Sequence, residues 1–307
     1  MEKVAFLFAG QGSQYIGMGK DLDETFPEAR ELFDKANQVL GFNLRNICFN
    51  GIPEALKQTI ISQPAIFTVS LAAFYSFVKR VDLKPDFTAG LSLGEYSALT
   101  AAGVFSFADG LRLVRRRAEI MDDACRSYPG KMAAVLDLPL DKVKDICLKS
   151  QAEIANINCP GQLVISGKVE ALSQAQKMCI EAGAKRVIEL EVSGGFHSSL
   201  MRQAAGILEK YLEEVKIAEP YCPVVSNYTA SIQTRVEEIR ENLLHQMYST
   251  VRWEESMRFL LKQGVTKFYE FGPGKVLKGL MRRIEPGVEV ITIEKKDDIL
   301  SLSKGVD

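Results

Sequence analysis

Short apolar runs that end at a glycine predict the strands of this chain. Residues 4–9 form one such run, which is typical of a central parallel strand buried on both faces. A second, shorter run covers residues 87–89. Apolar side chains recur at helical spacing over residues 27–40. Residues 65–78 are almost wholly apolar, which predicts a buried helix with Pro64 in its first turn.

The pattern changes from residue 131 onwards. It runs strand, helix, strand, strand, helix, strand, at residues 132–136, 140–149, 152–158, 162–166, 169–182 and 186–192. This β-α-β-β-α-β order is the signature of the ferredoxin-like fold. The sequence therefore predicts an α/β protein in which a ferredoxin-like subdomain, residues 129–193, is inserted into a large domain of residues 1–128 and 194–307. The polar tail after Glu294 is expected to fray.

Composition and charge narrow the class of protein. The 307 residues include 38 Lys and Arg against 39 Asp and Glu, and the net charge of -1 gives no global attraction to nucleic acid or to an anionic membrane. Neither is expected as a partner. The six cysteines form no Cys-x-x-Cys pair and no metal-ligand spacing, so no metal is expected. Scattered thiols and an apolar opening too short for a secretory leader predict a cytoplasmic protein.

The pentapeptide Gly90-Leu91-Ser92-Leu93-Gly94 has the Gly-x-Ser-x-Gly pattern of a nucleophile elbow. In such an elbow the serine lies on a sharp turn between a strand and a helix, and the two glycines leave room for neighbouring backbone. The pattern is short and occurs by chance, so its context decides whether it is functional.

A serine hydroxyl needs a general base, and the chain holds two histidines. His245 lies inside a helical pattern, where a partly exposed structural histidine is expected. His197 follows two glycines at a chain reversal, a position typical of a functional loop residue, although a structural role stays open from spacing alone. No acid stands out as a third member, so a dyad oriented by a backbone carbonyl or an amide is compatible with the sequence.

Two further segments could contribute to binding or catalysis. The glycine turn at residues 10–14 fails the spacing of the dinucleotide and Walker phosphate loops. It either presents backbone N–H groups to an oxyanion beside the elbow or is a plain turn. Arg115, Arg116 and Arg117 lie in the helix predicted at residues 107–124, where successive side chains point about 100° apart. One arginine can therefore face inward, and a planar guanidinium suits a substrate carboxylate.

Several segments together resemble the malonyl-CoA:acyl carrier protein transacylase family of type II fatty acid synthesis and the related acyltransferases of polyketide synthesis. They follow the family's order and span residues 3–284. The matching segments are Gly10-Gln11-Gly12-Ser13-Gln14, Gln63-Pro64-Ala65, the elbow with Glu95-Tyr96-Ser97, Arg117 ahead of Met121, Asn158-Cys159-Pro160-Gly161-Gln162, His197 before Ser198-Ser199, and Gly272-Pro273-Gly274-Lys275. The resemblance implies an α/β-hydrolase-like large domain with a parallel sheet and a ferredoxin-like insert.

The resemblance also implies a ping-pong transfer of malonyl from malonyl-CoA to the phosphopantetheine thiol of acyl carrier protein, without a cofactor of the enzyme's own. Ser92 would form a malonyl-serine intermediate with His197 as general base. Backbone N–H groups of Gln11 and Leu93 would form the oxyanion hole. Arg117 would bind the malonyl carboxylate.

Four more residues receive roles from the resemblance. Gln63 would support the bound carboxylate, and Gln246 matches the family position that orients the histidine. Phe196 lies just before the histidine, where its bulk should crowd an α-methyl group and favour malonyl over methylmalonyl. Leu91 stands where many members have histidine, which removes a polar group from the acyl pocket.

The partner is expected to be acyl carrier protein, which is strongly acidic and calls for a basic patch near the pocket mouth. Lys185 and Arg186 match a family position for this contact, with plain surface solvation as the alternative. A monomer is expected.

Three rival functions share part of this pattern. An acyl hydrolase of the same fold does not need a carboxylate-binding residue, so Arg117 favours a transferase. A non-catalytic carrier-binding module is disfavoured because Ser92, His197 and Arg117 occur together. A trans-acting acyltransferase of a polyketide synthase is not separated from the fatty-acid enzyme by the sequence.

Overall fold

The computed structural model of the protein describes residues 2–303, so Met1 and residues 304–307 of the predicted large domain lie outside the described residues. Within the described part the strands are, in chain order, β1 Lys3–Phe8, β2 Phe87–Gly90, β3 Gly130–Leu136, β4 Glu153–Cys159, β5 Gln162–Lys168, β6 Arg186–Glu189, β7 Val224–Val225, β8 Ile232–Gln233, β9 Val265–Phe271 and β10 Glu289–Ile293. The helices are α1 Lys20–Thr25, α2 Pro27–Leu40, α3 Leu44–Asn50, α4 Pro53–Lys57, α5 Thr59–Val78, α6 Leu93–Ala101, α7 Phe107–Ser127, α8 Leu140–Ser150, α9 Val169–Glu181, α10 Arg202–Glu214, α11 Val236–Tyr248, α12 Trp253–Lys262, α13 Val276–Ile284 and α14 Lys296–Ser303, with a 3₁₀ turn at Ser199–Met201.

The larger sheet has the strand order β10-β9-β1-β2-β7-β8. Its strands pair in parallel except for the antiparallel β7–β8 pair at one edge. The central strand β1 is buried from its second residue onwards, as its apolar run predicts. Its rings at Phe6 and Phe8 pack against Phe74 and Phe77 of α5 and against Phe271 of β9.

The register of β1 and β2 brings their carboxyl ends level, with Phe8 opposite Gly90. In α/β sheets the ligand site lies beyond the carboxyl ends of the parallel strands. Both candidate segments, the glycine turn after β1 and the elbow after β2, therefore emerge at the same edge of the sheet.

The smaller sheet is fully antiparallel and has the strand order β4-β5-β3-β6. Helices α8 and α9 pack on one of its faces around a separate apolar cluster that includes Val143, Ile165 and Leu172. This is the ferredoxin-like arrangement, and the predicted fold class, a large α/β unit with a small antiparallel subdomain, is confirmed. The limits of the insert at residues 129 and 193 remain a prediction.

The position of Pro64 is a correction to the sequence prediction. Helix α5 begins at Thr59, so Pro64 lies inside the helix and not in its first turn. A proline lacks the N–H that would bond the carbonyl four residues earlier. That carbonyl belongs to Ile60, and it accepts a hydrogen bond from Arg115 Nη1 at 2.8 Å, so a side chain from α7 replaces the lost backbone donor.

The end of the chain is a second correction, because the tail after Glu294 is not frayed over residues 296–303. Strand β10 pairs in parallel with β9, and α14 follows it. Ile299 is fully buried in the main core. The carboxylate of Asp298, the third residue of α14, reaches back and accepts the backbone N–H groups of Glu294 and Lys295, as the N3 residue of a capping box does. The polar composition of this segment gave no indication that Ile299 would be buried.

Helix α5 is long and apolar enough to cross a membrane by length and composition, and 83% of its most apolar window is buried inside the protein. It contacts α2, α6 and α7. Within the described residues, α5 is therefore a buried helix of the protein core.

Candidate active site

The elbow forms as the Gly-x-Ser-x-Gly pattern predicts. Ser92 lies between β2 and α6 with φ 52° and ψ -102°, a left-handed backbone that most residues avoid. A Cβ on Gly94 would overlap the carbonyl oxygen of Phe8, and one on Gly10 would overlap that of Leu91. The ends of β1 and of the elbow are therefore in direct backbone contact, which only glycines permit.

Ser92 and His197 form a hydrogen-bonded dyad. Ser92 Oγ lies 2.8 Å from His197 Nε2, and His197 Nδ1 lies 2.7 Å from the backbone carbonyl oxygen of Gln246. A carbonyl oxygen only accepts, so Nδ1 carries the proton and Nε2 is free to accept the proton of Ser92. The orienting group is a backbone carbonyl, one of the two possibilities that the sequence left open. Gln246 contacts the histidine through its backbone and not through its side chain.

Arg117 is fully buried beneath the dyad, whereas Arg116 is exposed and Arg115 is half-buried, as the helical spacing predicts. Its Nη1 donates to Gln63 Oε1 at 2.8 Å. Its Nη2 donates to Ser92 Oγ at 3.1 Å and to the side-chain Oε1 of Gln246 at 3.1 Å. The guanidinium thus reaches the nucleophile itself.

Asn227 is a residue of the site that the sequence analysis did not predict. Its Oδ1 accepts the backbone N–H of Ser92 at 2.6 Å, and its Nδ2 donates to the carbonyl oxygen of Gly90 at 2.8 Å. It follows β7, the strand beside β2, so it emerges at the same edge of the sheet. The signal available in the sequence was a polar pair, Ser226-Asn227, directly after an apolar strand.

Glu95 was also missed as a site residue, although it stands within the elbow motif. It is fully buried and accepts hydrogen bonds from the backbone N–H of Asn227 and from the side-chain amides of Gln246 and Gln233, at 3.0, 2.7 and 2.7 Å. The available signal was a lone carboxylate in the otherwise uncharged helix α6. A third side-chain amide, that of Asn242, donates to Gln233 Oε1 and extends the network.

Burial controls the protonation of the site. It lowers the pKa of His197 to about 4, with the charge of Arg117 as a second cause and the carbonyl of Gln246 opposing both. Burial also raises the pKa of Glu95 to about 7, against the lowering effect of its hydrogen-bond donors and of Arg117. His197 is therefore neutral at pH 7 and able to accept a proton.

The site opens into a cavity of about 710 Å³ between the two sheets. Ser92 and His197 line it, together with the predicted pocket residues Leu91 and Phe196 and with Gln11. Helix α6 begins at Leu93, whose backbone N–H has no partner in the described chain, as expected in the first turn of a helix. The backbone N–H of Gln11, beside the elbow, has none there either.

Two predicted residues lie apart from the others. Lys185 is exposed and forms an ion pair with Asp137 at 3.7 Å, and Arg186 is exposed at the start of β6. Neither lines the cavity. The remaining predicted site residues are all brought together around Ser92.

Comparison with known proteins gives the class of the protein. Residues 5–283 match the family model of the acyl transferase domain. The malonyl CoA-acyl carrier protein transacylase of Bacillus subtilis is 46% identical over 304 residues, which cover 97% of this chain and 96% of that protein. The chain therefore belongs to the acyl transferase family, and within it to the malonyl CoA-acyl carrier protein transacylases.

Solved structures agree with this assignment. An acyl carrier protein S-malonyltransferase from Vibrio cholerae superposes with a TM-score of 0.95 at 37% identity, covering 98% of this chain and all of the other. A malonyl-transacylase solved in complex with a type II polyketide acyl-carrier protein also superposes with a TM-score of 0.95, at 36% identity and 99% coverage of both chains.

The lowered pKa of His197 gives a testable prediction. The imidazole should remain neutral from pH 8 down to about pH 5 and titrate near 4, because burial and Arg117 both oppose its charged form. Imidazole NMR measures this directly, and His197→Gln assigns the signal in a chain with two histidines. Arg117→Met should raise the midpoint because it removes the neighbouring charge. A midpoint at 6.5 or higher in the wild type would contradict the prediction.

Proposed function

We propose that this protein transfers the malonyl group from malonyl-CoA to the phosphopantetheine thiol of acyl carrier protein through a malonyl-Ser92 intermediate, and so supplies fatty acid synthesis. One observation carries the proposal. Ser92 Oγ is hydrogen-bonded both to a neutral base, His197, and to a buried guanidinium, Arg117. A nucleophile between a base and a carboxylate-binding cation suits an acyl group that bears a free carboxylate.

In the first half-reaction Ser92 Oγ attacks the thioester carbonyl and its proton passes to His197 Nε2. The carbonyl oxygen becomes an oxyanion that the backbone N–H groups of Gln11 and Leu93 stabilise. The intermediate then collapses, the C–S bond breaks, and the departing CoA sulfur takes the proton from His197. The product is malonyl-Ser92.

Arg117 binds the malonyl carboxylate in this proposal, with Gln63 holding the guanidinium in place at 2.8 Å. The bound carboxylate also offsets the positive charge that lowers the pKa of His197. The base therefore becomes stronger when the correct acyl group is bound. An acetyl group lacks this effect, so the same contact serves both recognition and catalysis.

In the second half-reaction the carrier thiol replaces CoA and the steps run in reverse. His197 accepts the thiol proton, and the sulfur attacks the malonyl-Ser92 ester. The acyl hydrolase rival needs water at this point and makes no use of a cation beneath the serine. The buried contacts of Arg117 support the transferase.

Intact-mass measurement after mixing with malonyl-CoA tests the proposed function. The wild type should carry a malonyl adduct, and Ser92→Ala should carry none because the nucleophile is gone. Arg117→Met should form the adduct at least about a hundredfold more slowly, since one partner of a buried charge pair is removed.

The matched control is Arg116→Met, which removes an exposed arginine from the next position of α7. It should load malonyl at the wild-type rate. Rapid release of free malonate without an adduct, or faster loading from acetyl-CoA, would favour the hydrolase over the transferase.

Phe196 supports a preference for malonyl over methylmalonyl, because it is buried, lines the cavity and precedes the base. A methyl group is worth about 1–3 kcal/mol of discrimination, so the wild type should load malonyl about 10- to 100-fold faster. Phe196→Ala should reduce this ratio, whereas Leu56→Ala on another part of the wall should not. Competition between the two CoA esters measures it. Comparable loading of both by the wild type would refute the preference.

Lys185 and Arg186 are proposed to contact the acidic carrier protein from the exposed edge of β6. Changing both to glutamate should raise the KM for carrier protein about tenfold and leave the KM for malonyl-CoA unchanged. Lys149→Glu on the outer face of α8 is the control and should change neither value. If both KM values rise together in the double variant, the assignment is wrong.

The large domain comprises residues 1–128 and 194–307, and the insert comprises residues 129–193. The enzyme acts as a cytoplasmic monomer and uses malonyl-CoA and the carrier's phosphopantetheine as substrates, with no cofactor or metal of its own.

A further inference from the structure

Arg117 is a buried cation without a direct carboxylate partner among residues 2–303. Its hydrogen bonds go to the neutral oxygens of Gln63, Ser92 and Gln246. Removing a charge from water costs several kcal/mol unless another charge compensates it. The ring of Tyr96 lies 5.2 Å from the guanidinium carbon but carries no full charge. A compensating negative charge would therefore have to act on Arg117 through an intervening group.

Glu95 is in position to supply that charge. The side-chain amide of Gln246 lies between the two groups: its Oε1 accepts from Arg117 Nη2 at 3.1 Å, and its Nε2 donates to Glu95 Oε2 at 2.7 Å. Glu95 is fully buried, and its three hydrogen-bond partners are all donors. These donors favour the ionised carboxylate and oppose the burial that raises the pKa of Glu95 to about 7, so the ionised form predominates above that pH.

The orientation of each amide agrees with this assignment. Gln246 must turn its NH₂ group towards Glu95 in order to turn its oxygen towards Arg117. Gln233 is fixed in the same way, because its Oε1 accepts from Asn242 and its Nε2 faces Glu95. No amide can reverse without bringing two donors face to face.

We propose that Glu95 is the counter-ion of Arg117, acting through the side-chain amide of Gln246, and that it positions the guanidinium for the acyl carboxylate. The inference deepens the proposed function and rests on it for the identity of the carboxylate. Glu95 is a positioning residue, since it touches neither Ser92 Oγ nor His197.

The intervening amide explains how a counter-ion and a substrate carboxylate can share one arginine. A direct pair with Glu95 would occupy the planar fork that binds a carboxylate bidentately. With the amide between them, Glu95 compensates the charge while the guanidinium contacts only neutral oxygens, and its 3.1 Å contact with Ser92 Oγ can be exchanged for a carboxylate oxygen. Arg117 Nε also has no hydrogen-bond partner within the described chain, so donor capacity remains.

A double-mutant cycle tests the charge pairing without any substrate. Glu95→Gln keeps the shape and removes the charge, and Arg117→Met removes the cation. At pH 8, above the pKa of Glu95 of about 7, each single variant should lower Tm by about 5 °C, because each leaves one buried charge uncompensated. The double variant should lose much less than the sum of the two. If Glu95→Gln alone fails to fold, the double variant should fold.

The matched control is Glu270→Gln, another fully buried glutamate that accepts backbone N–H groups, from Leu277 and Lys278. It should be additive with Arg117→Met. Additive losses for Glu95→Gln and Arg117→Met would overturn the proposal, as would a double variant that fails to fold while Arg117→Met folds.

Acyl selectivity separates positioning from a purely structural role. Glu95→Gln should lower the ratio of malonyl to acetyl loading at least about tenfold, because acetyl makes no contact with the guanidinium. A structural defect would slow both substrates alike, and an unchanged ratio would overturn the proposal. Failure of the wild type to form a malonyl adduct would instead refute the proposed function, since the thermal cycle needs no substrate.

Discussion

The backbone contact between the end of β1 and the elbow is the constraint on which the site depends. Gly10 and Gly94 allow the two chain segments to meet without an intervening side chain. The contact holds Ser92 in a left-handed backbone that costs on the order of 1–3 kcal/mol and persists only where its surroundings impose it. Asn227 adds to this by bonding both the N–H of Ser92 and the carbonyl of Gly90. The reactive hydroxyl is therefore fixed before any substrate arrives.

Two kinds of signal made much of the fold predictable. The apolar run of β1 and the alternating order of the insert report burial and pairing directly, since both depend on local periodicity. The short helices α1, α3 and α4 escaped prediction, as did β10 and α14. In α14 a single buried residue, Ile299, packs a polar segment against the core. The mean polarity of a segment does not reveal one buried apolar residue.

The residues of the candidate site likewise fall into those that the sequence predicted and those that it did not. Ser92, His197 and Arg117 could be predicted from the sequence, because each belongs to a recognisable segment in which its residue type has a chemical reason. Asn227 and Gln233 were not predicted, because their contacts depend on the strand order, in which β7 lies beside β2 and β8 lies beside β7. The backbone carbonyl of Gln246 illustrates the limit further. Every residue has a carbonyl, so no sequence pattern marks the one that orients the histidine.

The charges of the site act as one unit because they share a buried environment. Burial alone would weaken His197 as a base and Arg117 as a cation. In the proposed function, a substrate carboxylate supplies the negative charge that favours the protonated form of both groups. Binding the correct acyl group would thus improve the base that activates Ser92, whereas water or an uncharged acyl group brings no such charge. Selectivity in this arrangement follows from electrostatics at the reacting serine as well as from the shape of the cavity.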